Sequence, residues 1–229
     1  MARIAALALA YFLSQFYRSF LAVLTPALEA DLGATKAQLS FASGAWFIAF
    51  ALMQFAVGVS LDRFGPRRTA GVLLAGGGGG ALLFAAATSP AMVTAAMTLI
   101  GIGCAPGLMA SLFIFAKTFR PAPFAVLTSW FVALGSLGNV SGAAPFAAAV
   151  ESFGWRGVMA GLGIATLLSA LALVALVRDP ERETAGGRNS GFAGFGELLR
   201  MKVLWLIIPL TALNYAPAGY TPYPKSLCT

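Results

Sequence analysis

Histidine is absent from this sequence, and cysteine and charge are scarce. Without His the chain lacks the commonest metal ligand and the usual general base near neutral pH. The two cysteines, Cys104 in an apolar run and Cys228 beside the C-terminus, give little support to a disulfide framework. Only 10% of the 229 residues are charged, against about 25% in soluble domains. A water-soluble globule needs charge to cover its surface, and here the charges sit in a few short clusters. With 59% hydrophobic residues and a mean hydropathy of +0.84, the composition is that of an all-α polytopic membrane protein.

A helix crosses the hydrocarbon core with about 20 mostly apolar residues. The sequence predicts six such spans, at roughly 4–28, 37–61, 69–88, 91–116, 123–149 and 155–177. Their separators, "EADLGATK", "DRFGPRR", "TSP", "KTFRPAP" and "ESFGWR", are short and built from charges, Gly and Pro, so neighbouring helices should run antiparallel. The opening "MARIAALALAYFLS" has the look of a cleavable leader, but its hydrophobicity continues past Ser14 and suits a spanning helix better. The net charge of +7 is unevenly placed: eleven Lys and Arg, from Arg3, Arg63, Arg67 and Arg68 through Lys117 and Arg120 to Lys202, fall on one side and only Lys36 and Arg156 on the other. By the positive-inside rule both ends of the six-helix unit are expected in the cytoplasm, and the protein in the cell (inner) membrane. The basic balance thus reports topology, and no nucleic acid is needed to explain it.

The domain expectation is a six-helix bundle over residues 1–178, then a charged, Gly-rich cytoplasmic linker over 179–200. The start of a seventh helix follows over 201–219, and an atypical tail over 220–229 contains two prolines. Glycine is frequent inside the spans: "GGGGG" at 76–80, then Gly101, Gly103, Gly107, Gly135, Gly138 and Gly142. A dinucleotide loop would need a preceding strand and an acidic residue about 20 positions on, and neither is present. Small residues at helix contacts explain the glycines instead, as in the G-x-x-x-G pair Gly138 and Gly142.

The segment "GVSLDRFGPRRT" is more particular than a polar turn. Gly58, Asp62, Arg63, Gly65, Arg67 and Arg68 spell G-x-x-x-D-R-x-G-x-R-R, which resembles the signature loop of the major facilitator superfamily. Gln54 four residues before Gly58, the Arg and Pro after the fourth span, and "GWR" opening the sixth agree with that family. The resemblance covers residues 1 to about 219. It implies one six-helix half of a twelve-helix secondary transporter working by alternating access, with substrate near the bilayer midplane. It also implies that the loop is a conformational latch against the second half, Gly58 permitting close helix approach and Gly65 the turn. Asp62 would form charge contacts or face a helix N-terminus. Two departures stand out. Met97 occupies the position where many members carry an Arg, so a proton-coupling role for that residue does not carry over. Asn139 follows Gly138 where drug antiporters have Gly-Pro, which disfavours drug export.

Arg18 is the one basic residue deep inside a span, about 20 Å from the helix start at roughly 1.5 Å per residue. Tyr11, Gln15, Arg18 and Thr25 share one helix face. An Arg at the bilayer centre costs roughly 2.5–3.5 kcal/mol on insertion scales, so that stripe should face the bundle interior or a wet cavity. Two roles suit Arg18: binding an anionic group of the substrate, or a structural contact with backbone carbonyls or a buried partner. Gln15, Tyr11, Gln54 and Asn139 are the further candidate substrate contacts, with interhelical hydrogen bonding the competing role for Gln54 and Asn139. Trp46 and Trp130 read as packing or interface residues.

The resulting expectation is secondary transport of a small organic solute, an anion if Arg18 binds it. The partners are the lipid bilayer, that solute and a C-terminal six-helix half missing from this sequence; no cofactor or metal is expected. The ending reads as a truncated frame, and the alternative is a non-transporting half that pairs with a separate second half. A membrane-embedded enzyme is the weakest reading, because the sequence holds no metal-ligand cluster and no intramembrane carboxylate pair.

Overall fold

The structure, a computed structural model, describes residues 2–177; the linker, seventh-helix and tail expectations lie outside the described residues. Among these every element is a helix: α1 (Ala2–Leu32), α2 (Lys36–Phe64), α3 (Pro66–Ala85), α4 (Pro90–Cys104), α5 (Pro106–Thr118), α6 (Pro121–Ser141) and α7 (Ala144–Leu176). Six stretches are long and apolar enough to cross a membrane, α4 and α5 together forming one. The chain is thus a multi-pass membrane protein.

The helix starts are written in the local chemistry. Thr35 and Gln38 form a reciprocal capping box at α2, with the Thr35 amide donating to Gln38 Oε1 at 2.9 Å. Pro stands in the first turn of α3, α4, α5, α6 and α7, where its fixed φ suits the helix and its missing N–H is no loss. Gly65, at φ 85° and ψ 160°, is the single residue between α2 and α3. That region of backbone space is open essentially to Gly alone, so the tight charged hairpin depends on it.

Two sequence expectations are corrected in detail. The fourth span, expected unbroken over 91–116, is divided at Ala105 because Pro106 cannot donate to the preceding turn. The fifth, expected over 123–149, ends at Ser141, and residues from Ala144 already belong to α7. The stretch "GAAPFAAAV" is uniformly apolar, so hydropathy ran through it, but the chain turns at Gly142 and restarts with Pro145. The expected separator near 151–156 survives as a kink, with Gly154 at φ 71° and ψ 152° inside α7.

The glycines set the packing. A Cβ on Gly77 would lie 3.2 Å from Gly103 Cα, and one on Gly80 would lie 2.9 Å from the Ile100 amide nitrogen, both on α4. Gly78 turns to the other side, where a Cβ would come 3.1 Å from the Gly163 carbonyl of α7. The run of five glycines therefore lets α3 lie against α4 and α7 at once. Gly135, Gly138 and Gly142 do the same for α6 against Tyr11, Phe12 and Ser19 of α1, as the G-x-x-x-G reading required. The apolar core has two parts. Phe16, Tyr17, Phe20, Trp46, Phe84, Phe146 and Met159 fill one, and Leu7, Tyr11, Phe115, Phe131 and Leu173 the other, toward the hairpin end.

Candidate functional site

The α1–α6 seam carries an open groove of about 320 Å³ lined by Tyr11, Gln15, Val132, Ser136, Asn139 and Val140. Three of the expected substrate contacts, Tyr11, Gln15 and Asn139, are thereby brought together. Gln15 Nε2 donates to the Tyr11 hydroxyl at 2.9 Å, across one helical turn. Ser19 Oγ donates to the Asn139 carbonyl at 2.9 Å, fixing the backbone of α6 against α1 at this level. Ser136 was not singled out from sequence. It enters because it stands one turn before Asn139 on the same face of α6.

Arg18 lies one turn beyond Gln15 on α1 and is exposed within the six-helix unit. Its guanidinium carbon sits 5.7 Å from the Trp46 ring centroid and 5.2 Å from that of Phe50. Those two rings, one turn apart on α2, stack on each other at 5.2 Å with only 9° between their planes. Each cation–π contact contributes on the order of 0.5–2 kcal/mol, which offsets part of the roughly 2.5–3.5 kcal/mol cost of a mid-membrane Arg. No carboxylate among the described residues pairs with Arg18, so the rings hold it without neutralising it. Trp46 is buried as expected, whereas Trp130 is among the most exposed side chains.

Gln54 and Thr25 stand apart from the groove. Gln54 Nε2 reaches the Ala105 carbonyl at 3.5 Å, an interhelical contact at the break between α4 and α5. Thr25 bonds its own helix through the Leu21 carbonyl at 3.2 Å, and Ser14 donates to the Cys104 carbonyl at 3.1 Å.

The charged hairpin lies at the end of the bundle shared by the start of α3 and the end of α7. Arg67 Nε donates to the Val174 carbonyl, in the last turn of α7 where a cation is favoured by the helix dipole. Thr69 Oγ1 donates to the Ser60 carbonyl at 3.0 Å. Asp62, Arg63 and Arg68 are exposed. A Cβ on Gly58 would meet no described atom within 4 Å, so none of the helices α1 to α7 makes the close approach expected there. At the opposite end Arg156 joins three helices: it pairs with Asp31 of α1 at 3.0 Å and donates to the Ala87 carbonyl after α3 at 2.8 Å. Trp155 Nε1 also donates to Asp31, at 3.2 Å. The "GWR" stretch carries no local sign of this partner, because Asp31 and Arg156 meet only through the fold.

Fold and site together define a polytopic helical membrane protein with an open groove along the α1–α6 seam, a cation one turn along α1 held over two rings of α2 and a charged hairpin at one end. Residues 7–223 match the Major Facilitator Superfamily, and the chain belongs to that family. It is 26% identical over 170 residues to the uncharacterized transporter YybO of Bacillus subtilis strain 168, a match covering 74% of this chain and 39% of that protein. The xylose transporter XylE of E. coli shares the fold. Its inward-open form superposes with a TM-score of 0.62 at 18% identity, covering 77% of this chain and 48% of XylE. XylE bound to 6-bromo-6-deoxy-D-glucose gives a TM-score of 0.63 at 17% identity, covering 78% and 45%. The chain thus spans less than half the length of the proteins it matches, and those proteins are transporters, not enzymes.

Proposed function

We propose that this chain is one six-helix half of a secondary transporter that moves a small organic anion by alternating access, with Arg18 receiving the anionic group. The observation that carries this reading is the placement of Arg18. A permanently charged side chain sits midway along α1, held over Trp46 and Phe50 and facing no carboxylate among the described residues. A purely structural Arg in the bilayer is usually paired or bonded to carbonyls. The match to less than half of longer transporters supports the half-unit assignment. So do the open faces of α2 and α6, whose membrane-length windows are only 22% and 17% buried, against 56% for the first span. On this reading Asp62, Arg63 and Arg68 belong to a latch that meets the second half, and the Lys and Arg bias supports an N-terminus on the cytoplasmic side of a cell membrane.

The alternative, a half that does not transport by itself and must pair with a separate six-helix half, rests on the same open faces. Uptake into proteoliposomes prepared from the protein's own membrane tests the proposal. Organic anions are expected to enter and their neutral amides not; equal uptake of both overturns it.

A further inference from the structure

Gln15, one turn from Arg18 on α1, lines a groove with Tyr11, Ser136 and Asn139, and the chemistry of that groove is specific. Four polar side chains, Tyr11, Gln15, Ser136 and Asn139, line it beside the apolar Val132 and Val140. The Tyr11 oxygen accepts from Gln15 Nε2, which leaves the tyrosine proton to donate and Gln15 Oε1 to accept. Ser136 Oγ donates to the Val132 carbonyl at 3.2 Å, leaving its lone pairs to accept. The Asn139 amide supplies both donors and an acceptor. Donors and acceptors thus alternate over a small area, an arrangement that suits hydroxyl groups, each of which does both. An alkyl chain there would leave these groups unpaired.

The charge is single. Among the described residues the other cations stand near helix ends or beside the Gly154 kink, so this half offers one positive charge at mid-depth. A guanidinium fork matches the two oxygens of a carboxylate, and one charge balances one. A phosphate dianion would bring a second negative charge with no described cation of this half at mid-depth to pair it.

We infer that the site takes a hydroxylated monocarboxylate, its carboxylate on Arg18 and its hydroxyls along Tyr11, Gln15, Ser136 and Asn139. This rests on the anion reading above and goes beyond it by naming the substrate class.

The test is calorimetric titration of the full 229-residue chain in lipid nanodiscs with three six-carbon probes: D-gluconate, hexanoate and sorbitol. Gluconate is expected to bind about tenfold or more tighter than hexanoate, with sorbitol weakest. Arg18→Gln should abolish gluconate binding. Ser136→Ala combined with Asn139→Leu should abolish the preference for gluconate over hexanoate. Hexanoate binding as tightly as gluconate overturns the hydroxyl assignment and leaves the anion reading standing. Sorbitol binding as tightly as gluconate, or no heat from any probe with protein shown helical by circular dichroism, overturns the inference.

Discussion

Alanine at position 79 and alanine at position 80 are expected to move stability in opposite directions, although the two sites are neighbours in one run of glycines. At Gly79 an added Cβ meets no atom within 4 Å, so the substitution acts through the helix alone. There Ala is favoured over Gly by up to about 1 kcal/mol. At Gly80 the same Cβ would stand 2.9 Å from the Ile100 nitrogen and 3.1 Å from the Ala96 carbonyl. Both are backbone atoms of α4 and neither can rotate aside. Since non-bonded atoms prefer roughly 3.5–4.0 Å, α3 and α4 must part locally. Overpacking of that kind costs about 1–3 kcal/mol, more than the propensity gain returns. Thermal unfolding of the two variants in one nonionic detergent, followed by helical circular dichroism, reads the difference directly. Gly79→Ala should hold or raise the midpoint and Gly80→Ala should lower it; equal shifts would refute the assignment of the glycines to separate faces of α3.

Arg156→Ala removes an ion pair whose side chains are 43% and 48% exposed, worth by itself only about 0.2–1 kcal/mol. The carbonyl bonds to Ala85 and Ala87 go with it, so a total loss of about 1–2 kcal/mol is expected, measurable in the same unfolding assay. Gly154→Ala should cost about 1–3 kcal/mol through backbone strain alone, because a Cβ there meets nothing within 4 Å. A neutral result would show that the kink relaxes. Gln54→Leu should change stability by less than about 1 kcal/mol, since its bond to the Ala105 carbonyl is at the 3.5 Å limit; a larger loss would assign Gln54 a stronger role at the α4–α5 break.

Much of the fold was legible because membrane spans are long apolar runs and their separators are charged. The glycine seams were legible too, as the small residues at 76–80 and 135–142 fall where helices touch. The error at residues 142–154 arose because hydropathy averages over a turn made of Ala, Gly and Pro. Tyr11, Gln15 and Arg18 could be grouped by helical spacing on one element. Asn139 joined them only through the α1–α6 contact, and Ser136 went unnoticed because a Ser within a span carries little signal alone. The rings beneath Arg18 belong to α2, and the Asp31–Arg156 pair is 125 residues apart, so no local pattern announces either.

The central claim, that Arg18 receives an anion, is tested most directly by anion uptake with Arg18→Gln and Arg18→Lys compared against the unaltered protein in a transport-competent assembly. Losing a charged hydrogen-bonding partner of about 1.5–3 kcal/mol predicts a ten- to hundredfold weaker apparent affinity, roughly, for the Gln variant. The Lys variant should fall between, keeping the charge without the fork. Unchanged affinity and rate in the Gln variant would contradict the account and leave Arg18 a structural residue.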